Sequence, residues 1–450
     1  MSLRLVSSLG SPPPRPPPPP PPDVDADGWR DRLIMRTTKA GTVPDDVMGN
    51  AAVAFAWHPD WRGIIALDRF RQSVVCTRPP PWSEHDAPED DPTTRYPRTW
   101  TDTDSSRAQT WMLRADMLGI RVGRDAIDAA VQVAADMRTI DPPRDYVLGC
   151  ALDPSRRLVG AMPSELDPDG AQSWLTTYLG VADSEYVRRV GRWFLIAAVA
   201  RTLRPGCKVD NVLILEGPQG ARKSSAVRAL FGEWFSDTPL DIASKDRFSS
   251  IQGVWGYELA EFDGYGKHEA AALKAFVTSC EDKYRPPYAR RDVNAPRRCV
   301  FVATINPGAE YLQDETGGRR WWPVRVGATG PVDVAGLERD RDALFAEARE
   351  LYESGERWYP TAPDEHATCR GEQDERRTVD AWTDPIRSYL AAPHRAGEDV
   401  TVATVLADAL GIEKRQWDRG SQMRVAAILR GEGYARARTS SGHVYRRVAT

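Results

Sequence analysis

The chain has 450 residues, 41% of them hydrophobic and 28% charged, with a formal net charge of -4. That is enough chain for two or three domains, each with its own core, and the composition is that of a soluble globular protein. The slight acidic excess excludes binding of polyanions by bulk charge, so any contact with nucleic acid must come from local basic patches. Six cysteines (Cys76, Cys150, Cys207, Cys280, Cys299 and Cys369) stand at no metal-ligand or redox spacing. They argue against a zinc site or disulfide framework and for a reducing cytoplasm. No membrane association is expected, because the best apolar run, Trp193 to Ala200, is short and is flanked by Arg192 and Arg201.

In chain order, residues 1–28 read as a proline-rich tail, since Pro12 to Pro22 is proline apart from Arg15. Such a tract lacks backbone donors and is expected to be extended and solvated. Residues 29–98 read as a small mixed module followed by a linker, the polar stretch from Ser83 to Arg98. Residues 99–205 read as helical: Trp111, Leu113, Met117 and Leu118 suggest one face, Val122 to Met137 a second helix, and Tyr186 to Leu203 a third. Arg188, Arg189 and Arg192 on that third helix either reach phosphates or form a solvated charged face.

Residues 206–355 change character, with β-rich apolar runs alternating with helices as in a parallel sheet with crossovers. The run Asn211 to Glu216 reads as a buried strand, and Gly217-Pro218-Gln219-Gly220-Ala221-Arg222-Lys223-Ser224 follows at once, with Ser225 opening a helix. Strand, tight loop and helix are the context of a Walker A element. Its backbone N–H groups and helix dipole cradle phosphates, Lys223 reaches the β- and γ-phosphates, and Ser224 offers a hydroxyl to Mg²⁺. ATP and Mg²⁺ are therefore the expected cofactors. One departure is Arg222, which stands where glycine usually lets the backbone approach the phosphates. It motivates an alternative reading, a nucleotide-gated DNA-binding protein with impaired hydrolysis.

Downstream, Val254 to Glu261 runs into Glu258 and Glu261 at the expected end of a strand facing the loop. One acid can hold the Mg²⁺ shell and the other can orient the attacking water. Glu258 is the expected metal acid and Glu261 is slightly preferred as the catalytic one. Asn306, after the strand Cys299 to Ile305, is the candidate γ-phosphate sensor. Arg319 and Arg320, on a Gly-rich loop before Trp321, are candidate arginine fingers for a neighbouring subunit, or else salt-bridge partners on a surface loop. Between these elements, Lys283, Arg285, Arg290 and Arg291 interleave with Tyr284 and Tyr288, and Arg297 and Arg298 follow. Basic and aromatic side chains in that pattern suit a hairpin that grips single-stranded DNA; a loop bridging subunits through carboxylates is the competing reading.

Leu337 to Tyr352 reads as an amphipathic helix, residues 356–380 as a linker and residues 381–450 as a winged-helix-like module. In that module helices lead into an alternating stretch from Tyr434 to Tyr445, and Lys/Arg outnumber Asp/Glu. DNA binding is expected there, against oligomerisation or partner docking.

Taken together, Gly217 to Ser224, Glu258-Leu-Ala-Glu261, Lys274-Ala-Phe276, Asp282 to Tyr288, Pro296-Arg-Arg298 and Asp314 to Trp321 resemble the virulence-associated protein E family, over roughly Trp111 to Tyr352. The resemblance implies an α/β P-loop core of the AAA+ group, superfamily 3-like, in a DNA helicase or translocase of phage or prophage type. It implies a homo-oligomer, a hexameric ring with the ATP site between subunits. There Lys283, Arg285, Arg290 and Arg291 would line the pore, and Arg319 or Arg320 would act in trans. The sequence before Trp111 is too short for a fused polymerase domain, so a separate primase is expected. An anti-phage interference ATPase on the same fold is the remaining alternative.

Overall fold

The computed structural model describes residues 28–82, 96–114, 118–153, 157, 159–160, 173–260, 267–285, 291–306, 320–376, 381–392, 398–439 and 442–447. It divides into two compact units, residues 1–309 with 315–373, and residues 374–450 with 310–314.

The first unit opens with a hairpin, β1 (Met35–Thr38) and β2 (Gly41–Pro44), and a helix, α1 (Met48–Trp57). A small sheet follows, made of β3 (Ile65–Asp68), β4 (Ser73–Cys76), β5 (Arg98–Thr99) and, after two helices, β6 (Thr139–Ile140). The helices are α2 (Asp102–Leu113) and α3 (Arg124–Asp136). α2 starts earlier than its apolar spacing suggests, because Thr101 and Asp104 form a reciprocal capping box and Arg98 grips the Asp104 carboxylate at 2.7 and 2.8 Å. It ends at Leu113, which is exposed, so the face expected to run on to Leu118 is broken; Met117 lies outside the described residues. One aromatic-rich core draws on both sides of the expected linker, with Trp61 against Phe55, Trp82 and Trp111 and with Ile127 and Val131 of α3 beneath.

After α4 (Pro142–Gly149), α5 (Trp174–Leu179) and α6 (Glu185–Leu203) comes a five-stranded, all-parallel sheet. Its strands are β7 (Val212–Glu216), β8 (Phe235–Ser236), β9 (Gly256–Leu259), β12 (Val300–Ile305) and β13 (Trp321–Arg325), in spatial order β13-β7-β12-β9-β8. β9 and β12 are buried throughout, and only Glu216 of β7 and Arg325 of β13 are not. Uninterrupted apolar strands covered on both faces are what a parallel sheet demands. The cover includes α6, α7 (Lys223–Phe231) and α9 (Val334–Glu353), with Trp255 stacked on Phe345 at 4.5 Å. Gly256 is fixed by this packing: a Cβ there would meet the Phe231 ring of α7 at 2.1 Å. α6 is buried from Trp193 to Thr202, and its run from Trp193 to Ala200 is apolar on all sides because it lies in a protein core. Among the described residues no helix is long and apolar enough to cross a membrane. Helix α8 (Lys267–Val277) leads to an antiparallel hairpin, β10 (Glu281–Tyr284) and β11 (Val293–Pro296), and α10 (Pro363–Asp374) follows α9.

The second unit contains α11 (Thr383–Leu390), α12 (Val402–Thr404) running into a π-helical turn at Val405–Ala409, α13 (Arg419–Gly431), and a hairpin of β14 (Tyr434–Thr439) and β15 (Gly442–Arg447).

Candidate nucleotide site

The loop after β7 leaves the carboxyl edge of the parallel sheet and turns directly into α7. Gly220 has φ +83°, and so does the work expected of a loop glycine. Arg222 is the N-cap of α7 and sits in the left-handed region at φ 60°, ψ 26°. This is the conformation for which glycine is favoured, and a non-glycine residue pays about 1–2 kcal/mol to hold it. The side chain of Arg222 is exposed, so the loop keeps its shape and the guanidinium does not fill the cradle. No side chain caps α7, and the first intrahelical bond is Ala226 N–H to the Arg222 carbonyl at 3.0 Å. The amides of Lys223, Ser224 and Ser225 precede it, at the positive end of the helix dipole, and make a terminus suited to an anion. Arg222→Gly removes the strain but adds chain entropy in the unfolded state of about 0.5–1 kcal/mol. A net stabilisation of up to about 1 kcal/mol is expected, read by thermal unfolding.

Lys223 is buried and its Nζ donates to the loop carbonyls of Gly217, at 2.5 Å, and Pro218, at 3.0 Å. Burial pushes its ammonium below the ordinary lysine range, and the Glu258 carboxylate opposes that shift. Glu258 on β9 is 2% exposed. Its Oε1 accepts from Ser224 Oγ and from Thr304 Oγ1, each at 2.7 Å, while its Oε2 is buried without a hydrogen-bond partner. A buried carboxylate oxygen without a partner, beside the hydroxyl of the loop serine, fits a Mg²⁺ site that is completed by substrate phosphate oxygens and water. Among the described residues no group of three His, Cys, Asp or Glu could hold a metal by itself, so these two side chains would be the protein's share.

Asn306 follows β12 at the same sheet edge, exposed, one residue beyond the pairing of Ile305 with Glu216. Glu261 and Arg319 lie outside the described residues. Arg320 precedes β13, whose Trp321 pairs with Val212, so it stands at the opposite edge of the sheet from its own phosphate loop. Five residues of strand separate the two edges, about 16 Å, which rules out action on its own loop. Thr304 and Arg325 escaped the sequence reading. Arg325 closes β13 beside the loop, its Nε 3.8 Å from Glu216. Both depend on strand order, although the alternation of Thr304 with Val302 on a buried strand was a signal for a polar contact.

The basic stretch divides. Lys283, Arg285 and Arg291 are exposed on or beside the β10–β11 hairpin, with Arg285 3.1 Å from Asp292; Arg290 and Tyr288 lie outside the described residues. Arg297 and Arg298 are not available to a ligand: Arg297 is buried against Asp282, and Arg298 pairs with Asp141 at 2.7 Å. The arginines of α6 are likewise structural. Arg188 pairs with Asp183 at 2.5 Å, Arg189 with Glu185 at 2.5 Å and Glu365 at 2.8 Å, and Arg192 with Glu356.

A sequence-family model for the virulence-associated protein E-like domain matches residues 167–379, a span that holds the phosphate loop, Glu258, Thr304, the hairpin and β13. The chain carries this domain. No curated protein matches the chain. Among solved structures, the A-form apo structure of the NrS-1 C-terminal region is 11% identical, covering 86% of this chain and 96% of that one at a TM-score of 0.38. A second A-form apo structure of that region has the same identity and coverage, at 0.40. In the virulence-associated protein E-like domain, then, the loop, the buried acid and the hydroxyls of Ser224 and Thr304 meet at one edge of one sheet.

Proposed function

We propose that this chain is an ATP-driven DNA motor, a helicase or translocase that serves replication of a phage or prophage type of mobile element. The observation that carries this reading is the meeting of Lys223, Ser224 and Glu258, with an unpartnered carboxylate oxygen, at the mouth of an uncapped helix. With nucleotide bound, Lys223 would exchange its loop carbonyls for phosphate oxygens, and Ser224 and Glu258 would hold the cation. Mg²⁺ would supply neutralisation of the phosphate charge there. Asn306 and Glu261 are the candidates for sensing the γ-phosphate and orienting water. An inserted strand, β12, between the loop strand and the acid strand supports assignment to the AAA+ group, superfamily 3-like. The far-edge position of Arg320 supports a finger in trans, and with it a homo-oligomeric ring, proposed as a hexamer, with ATP between subunits. Lys283, Arg285, Arg290 and Arg291 are proposed to grip single-stranded DNA, and a separate primase would supply primers. The outward side chain of Arg222 favours hydrolysis over a silent phosphate loop.

The test is phosphate release by the full chain with Mg²⁺ and ATP, with and without oligo-dT. Turnover that rises several-fold with the single strand is expected, and the stimulation should disappear in a Lys283→Ala, Arg285→Ala double variant. Absence of turnover under both conditions would sink the motor reading.

A further inference from the structure

The family match ends at residue 379, and the nucleotide site uses nothing beyond it. The second unit has its own chemistry. Helix α11 is followed by Val400, which exchanges two backbone hydrogen bonds with Tyr445 at 3.0 and 2.7 Å and so bridges to the edge of the β14–β15 hairpin. The order is helix, bridge, helix, helix and hairpin, closed on a core of Ile386, Val400, Val405, Val425, Leu429 and Tyr445. α13 is set by a capping box between Asp418 and Ser421, and Val425, Ile428 and Leu429 turn it inward. Helical periodicity then leaves Arg419, Gln422, Met423 and Arg430 outward, all exposed, with only Ala426 and Ala427 between them. Met423, at 62%, is the most exposed large apolar side chain among the described residues.

Charge singles out the same segment. From Glu413 to Arg447 there are nine Lys and Arg against three Asp and Glu, in a chain whose net charge is -4. Some of these cations are committed: Arg415 to Glu413, Arg446 to Asp399, and Arg424 over the Trp382 ring at 3.9 Å. Arg419, Arg430, Arg436 and Arg438 are exposed and make no ion pair among the described residues. Arg436 lies opposite Tyr445 and Arg438 opposite His443, so both arginines continue, beyond the core, the hairpin face that Tyr445 anchors.

We propose that residues 383–447 form a winged-helix module that binds double-stranded DNA. α13 enters the major groove with Arg419, Gln422 and Met423 on base edges, and the hairpin lies on the backbone through Arg436 and Arg438. A helix of α13's girth fits the major groove, which is about 12 Å wide. Arginine and glutamine read purine edges there, and an exposed apolar side chain suits the thymine methyl. A single strand is a poor match, because no Phe, Tyr or Trp of this surface is exposed to stack on bases. The inference is independent of the nucleotide site.

The experiment measures binding of the full chain to a random-sequence DNA duplex and to oligo-dT by fluorescence anisotropy across a salt series, followed by selection from a random duplex pool. Arg419→Ala with Arg430→Ala, and separately Arg436→Gln with Arg438→Gln, should each weaken duplex binding about tenfold or more, and the salt slope should fall by about one per phosphate contact removed. The loss should be clearly larger for duplex than for oligo-dT. Gln422→Ala and Met423→Ala should flatten the selected sequence preference. All six positions are exposed, so circular dichroism serves as a check that the fold stands. Duplex affinity insensitive to the arginine variants overturns the proposal. So does a change of oligomeric state without a change in duplex affinity, which would make this face a protein contact.

Discussion

Lys223→Ala is expected to cut ATP turnover by roughly 10²–10³-fold, the effect of removing one preorganised donor to transition-state charge. In the unliganded loop the ammonium rests on the Gly217 and Pro218 carbonyls. Pro218 is exposed and water can reach its carbonyl, whereas Gly217 is buried, so circular dichroism of the variant serves as the check that the sheet and α7 stay in place. Glu258→Gln is a companion with a sharper logic. The amide oxygen of glutamine can still accept from Ser224 and Thr304, so the contacts that now satisfy Oε1 persist. What disappears is the charge of the carboxylate whose Oε2 has no partner. Turnover should fall by a similar factor, and a fluorescent ATP analogue should still bind, because the amide-lined helix terminus and Lys223 are untouched. Phosphate release and analogue binding, measured on the same preparations, separate the two roles. Native-like turnover in Lys223→Ala would move the chemistry away from this loop altogether.

The parts of this site that could be read along the chain are those that local physics specifies. Strand, loop and helix are contiguous from Val212 to Phe231, and the glycines and the lysine sit at positions that a phosphate cradle would require. Glu258 was likewise visible as an acid ending an apolar run. Its partner Thr304 was not, because their contact exists only through the insertion of β12 between β7 and β9, and strand order is a property of the whole sheet. The same reason hid the location of Arg320: nothing local says that β13 joins the sheet beside β7, with its amino end turned away from the loop. Arginines were misread wherever their partners were remote. Arg192 finds its carboxylate 164 residues away in Glu356, and Arg298 finds Asp141 across 157 residues. A run such as Pro296-Arg-Arg298 looks basic in one dimension and is electrostatically closed in three.

That closure leads to the largest expected effect on stability. Arg297 and Asp282 are each 1% exposed. Arg297 Nε donates to Asp282 Oδ2 at 2.7 Å, a second nitrogen donates to Oδ1, and a third donates to the Phe276 carbonyl at 3.0 Å. The guanidinium also lies over the Phe276 ring, 4.5 Å from its centroid. The pair joins the base of the β10–β11 hairpin to the end of α8 and the start of β12, so it fixes the platform from which Lys283 and Arg285 project. Asp282→Ala should therefore destabilise by about 3–5 kcal/mol, chiefly because it leaves a buried guanidinium without its counter-charge. Replacing both partners with apolar residues of similar volume, Arg297→Met with Asp282→Leu, should recover most of that loss, since two desolvated charges are removed together. Thermal and urea unfolding of Arg297→Met, Asp282→Leu and the double variant complete the cycle. Equal destabilisation by the double and by Asp282→Ala would mean that packing, not charge, holds the hairpin. Recovery of stability in the double variant, with single-strand affinity also restored, would identify the pair as a clamp whose task is to hold Lys283 and Arg285 in place.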